Sequence, residues 1–177
     1  IRLAASEIAR RVVPGQFLMV RLPGQNDPLL GRPLAMYDVI SDTAGDDVAV
    51  DVVYLVVGRV TSRLAELRPG TRLELWGPLG NGFSVQPTEH LIMVAGGIGQ
   101  TPFLALGREM LGQRRFGRPP RDVAPAKKVT FCYGERNRTR LVGLADFERA
   151  GVEVRIATED GSVGHRGLVT DLIEPLV

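Results

Sequence analysis

The chain has 177 residues, 44% of them hydrophobic and 24% charged, an ordinary globular composition rather than a disordered or fibrous one. Its 22 basic and 20 acidic residues leave a formal charge of +2 with mixed signs along the sequence, which argues against a nucleic acid or other polyanion as partner. A single cysteine, Cys132, excludes an internal disulfide framework and any cysteine-ligated metal or iron–sulfur site within these residues, and it fits a reducing cytoplasm.

No apolar run approaches the ~20 residues of a membrane span, and residues 1–11 hold no signal-like apolar core. Because the sequence opens on Ile1 and closes on Val177 directly after a helical pattern, both native ends are expected to be missing. In chain order, residues 16–22, 33–40, 48–57 and 72–76 read as short strands separated by Pro14-Gly15, Pro23-Gly24, residues 41–46 and Pro69-Gly70. Strands at that spacing predict a small closed antiparallel barrel.

After Gly77-Pro78-Leu79-Gly80-Asn81-Gly82 the pattern alternates: strand 91–95, helix 101–115, strand 129–133, helix 144–150, strand 152–157 and helix 168–173. Alternation of this kind predicts parallel βαβ units of a doubly wound sheet. The glycine-rich stretch is therefore the expected boundary, dividing the chain into domains of residues 1–85 and 86–177. A basic cluster from Arg114 through Arg121 to Lys128 is broken by Gly117, Pro119, Pro120 and Pro125 and carries only Phe116 as an aromatic. It reads as a solvated loop, the other reading being a nucleic-acid patch.

Residues 91–95 run into Gly96-Gly97-Ile98-Gly99-Gln100-Thr101-Pro102 and then an amphipathic helix. Glycines admit a ligand close to the backbone, and a helix N-terminus offers free N–H groups to a pyrophosphate. Thr101 is the expected N-cap, with Pro102 preset at the first helical position. The Rossmann fingerprint is incomplete, since Pro102 stands in the third glycine's place, and a tight βα turn without ligand is the alternative.

Six motifs in order, Pro14-Gly15-Gln16-Phe17, Arg32-Pro33-Leu34-Ala35, Gly58-Arg59-Val60-Thr61, residues 77–83, residues 96–102 and Tyr133-Gly134-Glu135-Arg136, resemble the ferredoxin–NADP reductase superfamily. Residues 77–83 and 157–167 resemble in particular the electron-transfer subunits of NAD-linked dihydroorotate dehydrogenases. The resemblance implies an FAD-binding barrel followed by an NAD-binding α/β domain. It places FAD on Arg32, Pro33, Leu34, Ala35, Val53, Tyr54, Leu55, Val60 and Thr61, with Arg32 on the pyrophosphate and Thr61 capping a helix 61–67 that faces the second phosphate. Tyr54 read without the family is simply a barrel residue. Ala35 and Val60 depart from the family's serine and glycine, and losing that serine hydroxyl removes a hydrogen bond of about 1 kcal/mol near the flavin N5 edge.

NAD is expected on Gly96, Gly97, Ile98, Gly99, Thr101, Pro102, Tyr133, Gly134 and Arg136. Arg136, Arg138 and Arg140 are either partners for a 2′-phosphate or an exposed loop, and the resemblance favours NAD. His90 and His165 read as structural. No side chain is expected as general acid, base or nucleophile, because the flavin carries the chemistry. The resemblance further implies an FMN-containing catalytic subunit as partner in a hetero-oligomer and a four-cysteine [2Fe–2S] segment beyond these residues. Other flavin oxidoreductases of hydrogenase or ferredoxin reductase type, and a non-redox cofactor-binding module, stay open as alternatives.

Overall fold

The computed structural model describes residues 1–24 and 30–176. The first half is a five-stranded antiparallel sheet of β1 (Arg2–Ala4), β2 (Phe17–Arg21), β3 (Arg32–Ser41), β4 (Asp47–Val52) and β5 (Glu74–Leu79), in the order β1-β4-β3-β2-β5. Register shifts within β2–β5 and β3–β4 mark bulges, which bend a sheet and increase its twist. The sheet curls without closing, so the expected barrel is a half-barrel with β1 and β5 as its outer strands. Leu64 and Leu67, together with Leu75, line the seam beside Ile1 and Leu3.

Helices α1 (Ser6–Ala9) and α2 (Arg59–Ala65) complete this half. Its core gathers Val12, Leu18, Val20, Met36, Val50, Val52, Leu64 and Phe116. The sequence pattern misses β1 and α1, which at three and four residues are too short to show a period. It also carries strand 48–57 too far, because β4 ends at Val52 and residues 53–57 are not paired in a sheet.

The second half is a parallel sheet, β6 (His90–Gly96), β7 (Lys128–Glu135), β8 (Glu153–Thr158) and β9 (His165–Arg166), in the order β6-β7-β8-β9. That unreversed order among the described residues is one wing of a doubly wound sheet, with α3 (Phe103–Met110) and α4 (Leu144–Arg149) as crossovers. Helix 101–115 is shorter than expected because a 3-10 turn, Gly97–Gln100, intervenes before it and residues 111–113 turn away after it. Thr101 is accordingly not its N-cap; Pro102 holds that position. Helix 168–173 is a 3-10 turn over Val169–Leu172.

The aromatic residues of the second core form a chain. Phe83 lies 5.7 Å from Phe103, Phe103 5.7 Å from Phe131, and Phe131 4.6 Å from Phe147 and 5.2 Å from Tyr133, measured between ring centroids. Such contacts contribute about 0.5–1.5 kcal/mol each beyond their buried area.

The basic cluster is a loop, as expected, with Arg115, Arg118 and Lys127 exposed, but it is anchored at three points. Phe116 is buried in the first core, and Arg114 donates to the Val39 carbonyl at 2.7 Å and pairs with Asp47. Arg121 donates through Nε to Glu109 at 2.8 Å and to the Phe83 carbonyl at 2.6 Å. Glu109 has only 2% of its side chain exposed, so Arg121 offsets the cost of burying that carboxylate. Arg121→Met is therefore expected to lower stability by about 3–5 kcal/mol, read from urea unfolding, whereas Arg115→Met at an exposed position should change it by less than about 0.5 kcal/mol.

Candidate cofactor site

The parallel register sets the second half of the site. Gly96 on β6 faces Gly134 on β7, and Glu135 on β7 faces Thr158 on β8, so residues 96, 134–136 and 159 meet at the carboxyl end of the sheet. Ligands bind at that end in open α/β sheets. A cavity of about 330 Å³ lies there, walled by Gly96, Gly97, Gly134, Glu135, Arg136 and Glu159, with residues 167–169 closing it.

Gly134 is required by packing: an added Cβ would sit 2.6 Å from Cβ of Val169, inside any permitted contact. Val169 thus presses the 3-10 turn onto the sheet end. Ser162 accepts from the backbone N–H of Arg138 at 2.8 Å and His165 lies 3.3 Å from Asp171, which ties the surrounding loops together.

A second cavity, of about 460 Å³, lies between the start of β3, the run after β4 and the start of α2. All nine residues expected at FAD line it: Arg32, Pro33, Leu34, Ala35, Val53, Tyr54, Leu55, Val60 and Thr61. They come from three separate stretches of sequence. Tyr54 is half-buried against the first core, Val53 packs against the second, and Leu55 and Val57 are 51% and 82% exposed. Burial pushes the Tyr54 phenol above its usual pKa. Arg32 is exposed and donates to the Leu30 and Gly31 carbonyls at 3.3 Å each.

Thr61 stands elsewhere in its helix than expected. α2 begins at Arg59 with Gly58 as N-cap, so Thr61 is the third residue rather than the cap. Its hydroxyl accepts from the N–H groups of Val57 and Gly58 at 3.0 Å each. The side chain fixes the loop that walls the cavity.

The glycine turn divides the two cavities. Gly96 and Gly97 face the smaller one, while Ile98 and Thr101, expected to hold the nucleotide, face the larger one. Of the remaining positions expected at NAD, Gly134 and Arg136 line the smaller cavity, and Gly99 and Pro102 line neither. Tyr133 has no exposed surface; it stacks on Phe131 in the core, as a central parallel strand buried on both faces requires. Arg138 and Arg140 do not line the smaller cavity. Sequence reasoning missed Gly58, Glu135 and Glu159 as lining residues, although all three sit inside or beside the quoted motifs. Glu135 and Glu159 come together only through the strand register.

No family model matches the chain. Among curated proteins it is 35% identical over 171 residues to the electron transfer subunit of dihydroorotate dehydrogenase B (NAD(+)) of Desulforamulus reducens, covering 96% of this chain and 59% of that protein. It is 36% identical over 163 residues to the subunit of the same name from Shouchella clausii, covering 90% and 56%. The chain thus spans somewhat under three-fifths of the length of these relatives. Among solved structures, the NADH-dependent reduced ferredoxin-NADP oxidoreductase superposes with a TM-score of 0.73 at 22% identity, over 99% of this chain and 56% of the other. The ferredoxin reductase in carbazole 1,9a-dioxygenase gives 0.69 at 21%, over 98% and 49%.

The half-barrel joined to a parallel sheet, with a cavity on either side of the connecting glycine turn, is the ferredoxin reductase fold. By sequence the chain is similar, over the part of their length that it spans, to the electron transfer subunits of NAD-linked dihydroorotate dehydrogenase B.

Gly134→Ala is expected to destabilise the protein by about 1–3 kcal/mol through collision with Val169. Adding Val169→Gly, which removes the Cβ that alanine would keep, should recover part of that loss. Thermal unfolding of the two single variants and the double variant checks it.

Proposed function

We propose that this chain is the FAD- and NAD-binding part of an electron-transfer flavoprotein subunit of dihydroorotate dehydrogenase. In that role residues 1–85 form the FAD-binding domain and residues 86–177 the NAD-binding domain. The observation that carries the reading is the pair of cavities back to back across the turn at residues 96–101. Two cofactors held on opposite sides of one short turn lie close enough for direct hydride exchange.

The residues fit FAD. The walls of the larger cavity are mostly apolar, Tyr54 offers a flat face, and the Arg32 guanidinium at the rim suits the charge and shape of a pyrophosphate. FAD, when bound, supplies the two-electron acceptor and donor chemistry. This chain's residues orient the two cofactors and exclude water between them: Ile98 and the buried Thr101 on the flavin side, Gly96 and Gly97 on the nicotinamide side. The Ala35 methyl stands where the resemblance has a serine hydroxyl, so the flavin there takes its polar contacts from other groups.

NAD rather than NADP is supported by Glu135 and Glu159, whose residues line the nucleotide cavity beside Arg136. A 2′-phosphate brought near those carboxylates is repelled, whereas a ribose hydroxyl can donate to one of them. The family resemblance adds an FMN-containing catalytic subunit as electron source, in a cytoplasmic hetero-oligomer. This chain cannot itself ligate a [2Fe–2S] cluster, because its one cysteine is buried in β7. No helix among the described residues is long and apolar enough to cross a membrane.

The test is to express the native full-length protein, release and identify its flavin, and follow bleaching by NADH and NADPH separately. FAD that NADH reduces faster than NADPH is the expected result, and a protein that takes up no FAD contradicts the proposal. Arg32→Ala should weaken FAD binding by about tenfold or more, the loss of charge-assisted hydrogen bonds. Glu159→Gln should narrow the preference for NADH over NADPH by about tenfold.

A further inference from the structure

A third cavity, of about 320 Å³, lies where the two halves of the molecule meet, with Arg2, Tyr37, Asp38, Arg108, Asp146 and Arg149 in its wall. A site for a charged ligand would hold charges in need of a partner. Here Arg2 makes two hydrogen bonds of 2.9 Å to Asp51, Arg108 pairs with Asp38, and Arg149 pairs with Asp146. The Tyr37 hydroxyl donates to Asp146 at 2.7 Å across 109 residues of sequence. These charges answer one another, and the pairs Asp38–Arg108 and Tyr37–Asp146 join the antiparallel half to the parallel half.

Two rods run from this joint to the cofactor cavities. β3 carries Arg32, Pro33, Leu34 and Ala35 at the larger cavity and Tyr37, Asp38 and Ile40 at the joint. α3 follows the turn that divides the cavities and brings Leu104 and Arg108 to the joint. The halves also exchange side chains: Tyr37 of β3 lies in the second core, and Ala105 of α3 lies in the first.

The turn itself reaches the joint. Gly143 has φ +76, and a Cβ there would lie 2.7 Å from the Tyr37 hydroxyl and 3.7 Å from the Gln100 amide nitrogen. Gln100 closes the 3-10 turn and has no exposed surface. The Tyr37 hydroxyl and the Gln100 amide thus flank the same glycine, which places the joint beside the residue next to Thr101.

We infer that Tyr37, Asp38, Arg108 and Asp146 are positioning residues whose contacts across the joint fix the mutual orientation of the flavin and nicotinamide cavities. The inference rests on the two-cofactor reading for its consequence, though not for its geometry. Hydride transfer depends steeply on approach, and a misplacement of about 1 Å can cost on the order of a hundredfold in rate. The joint contacts neither cofactor cavity directly, so loosening it separates rate from affinity.

The test uses the full-length flavoprotein with Tyr37→Phe, Arg108→Gln and the double variant. In the double variant the limiting rate of FAD reduction by NADH should fall about tenfold or more, while FAD affinity and the NADH dissociation constant stay within about twofold. Arg108→Lys should recover part of the rate. Spin labels at Glu66→Cys and Glu148→Cys, exposed positions on opposite halves, report orientation without any turnover. Their distance distribution should broaden in the double variant, with or without FAD.

An unchanged distribution overturns the inference, and so does an unchanged limiting rate beside a broadened one. If the unsubstituted protein takes up no FAD, the two-cofactor reading has failed. The label distances then decide the joint alone, broadening supporting it and an unchanged distribution overturning it.

Discussion

The packing of β3 against α3 is the constraint on which the rest of the structure depends. β3 runs through the middle of the antiparallel sheet, between β4 and β2, and α3 is the first crossover of the parallel sheet. Their contact lets Tyr37 enter one core and Ala105 the other, so neither half finishes its core alone. Because α3 begins right after the glycine turn, this packing also decides where the turn stands relative to the start of β3. The larger cavity is a consequence of that placement.

Buried charge reinforces the same contact. Asp38 of β3 is 6% exposed and is met by Arg108 of α3. Burial holds the Asp38 carboxyl above its ordinary pKa even with Arg108 alongside. Pairs of this kind add little net stability compared with well-packed apolar residues, but they penalise every arrangement that separates them. In this molecule the separated arrangements are those in which the two halves rotate or slide apart.

Much of the fold was legible in the sequence because its signals are local. A strand, a glycine turn and an amphipathic helix follow one another at residues 91–111, and the change from short strands to alternating strand and helix marks a change of architecture. The nine residues expected at FAD converge because three short motifs each keep their own local geometry. The failures have a common physical origin in contacts distant along the chain. Thr101 and Ile98 face the larger cavity because β3 lies across the turn, which no pattern within residues 96–102 encodes.

Tyr133 is buried because β7 has a strand on both sides, and Arg114 and Arg121 within the basic loop are paired because Asp47 and Glu109 approach them from other elements. The unpaired run 53–57 has the composition of a strand but lines a cavity instead, and propensity cannot distinguish those fates. Glu135 and Glu159 emerge as neighbours only once β7 and β8 are placed in parallel register.

The most direct measurement is a crystal structure of the protein with stoichiometric FAD. The flavin ring is expected in the cavity bounded by Ala35, Tyr54 and Thr101, with its pyrophosphate within hydrogen-bond distance of Arg32. FAD bound anywhere else, such as the joint between Tyr37 and Arg108 or the sheet end at Gly134, would contradict it.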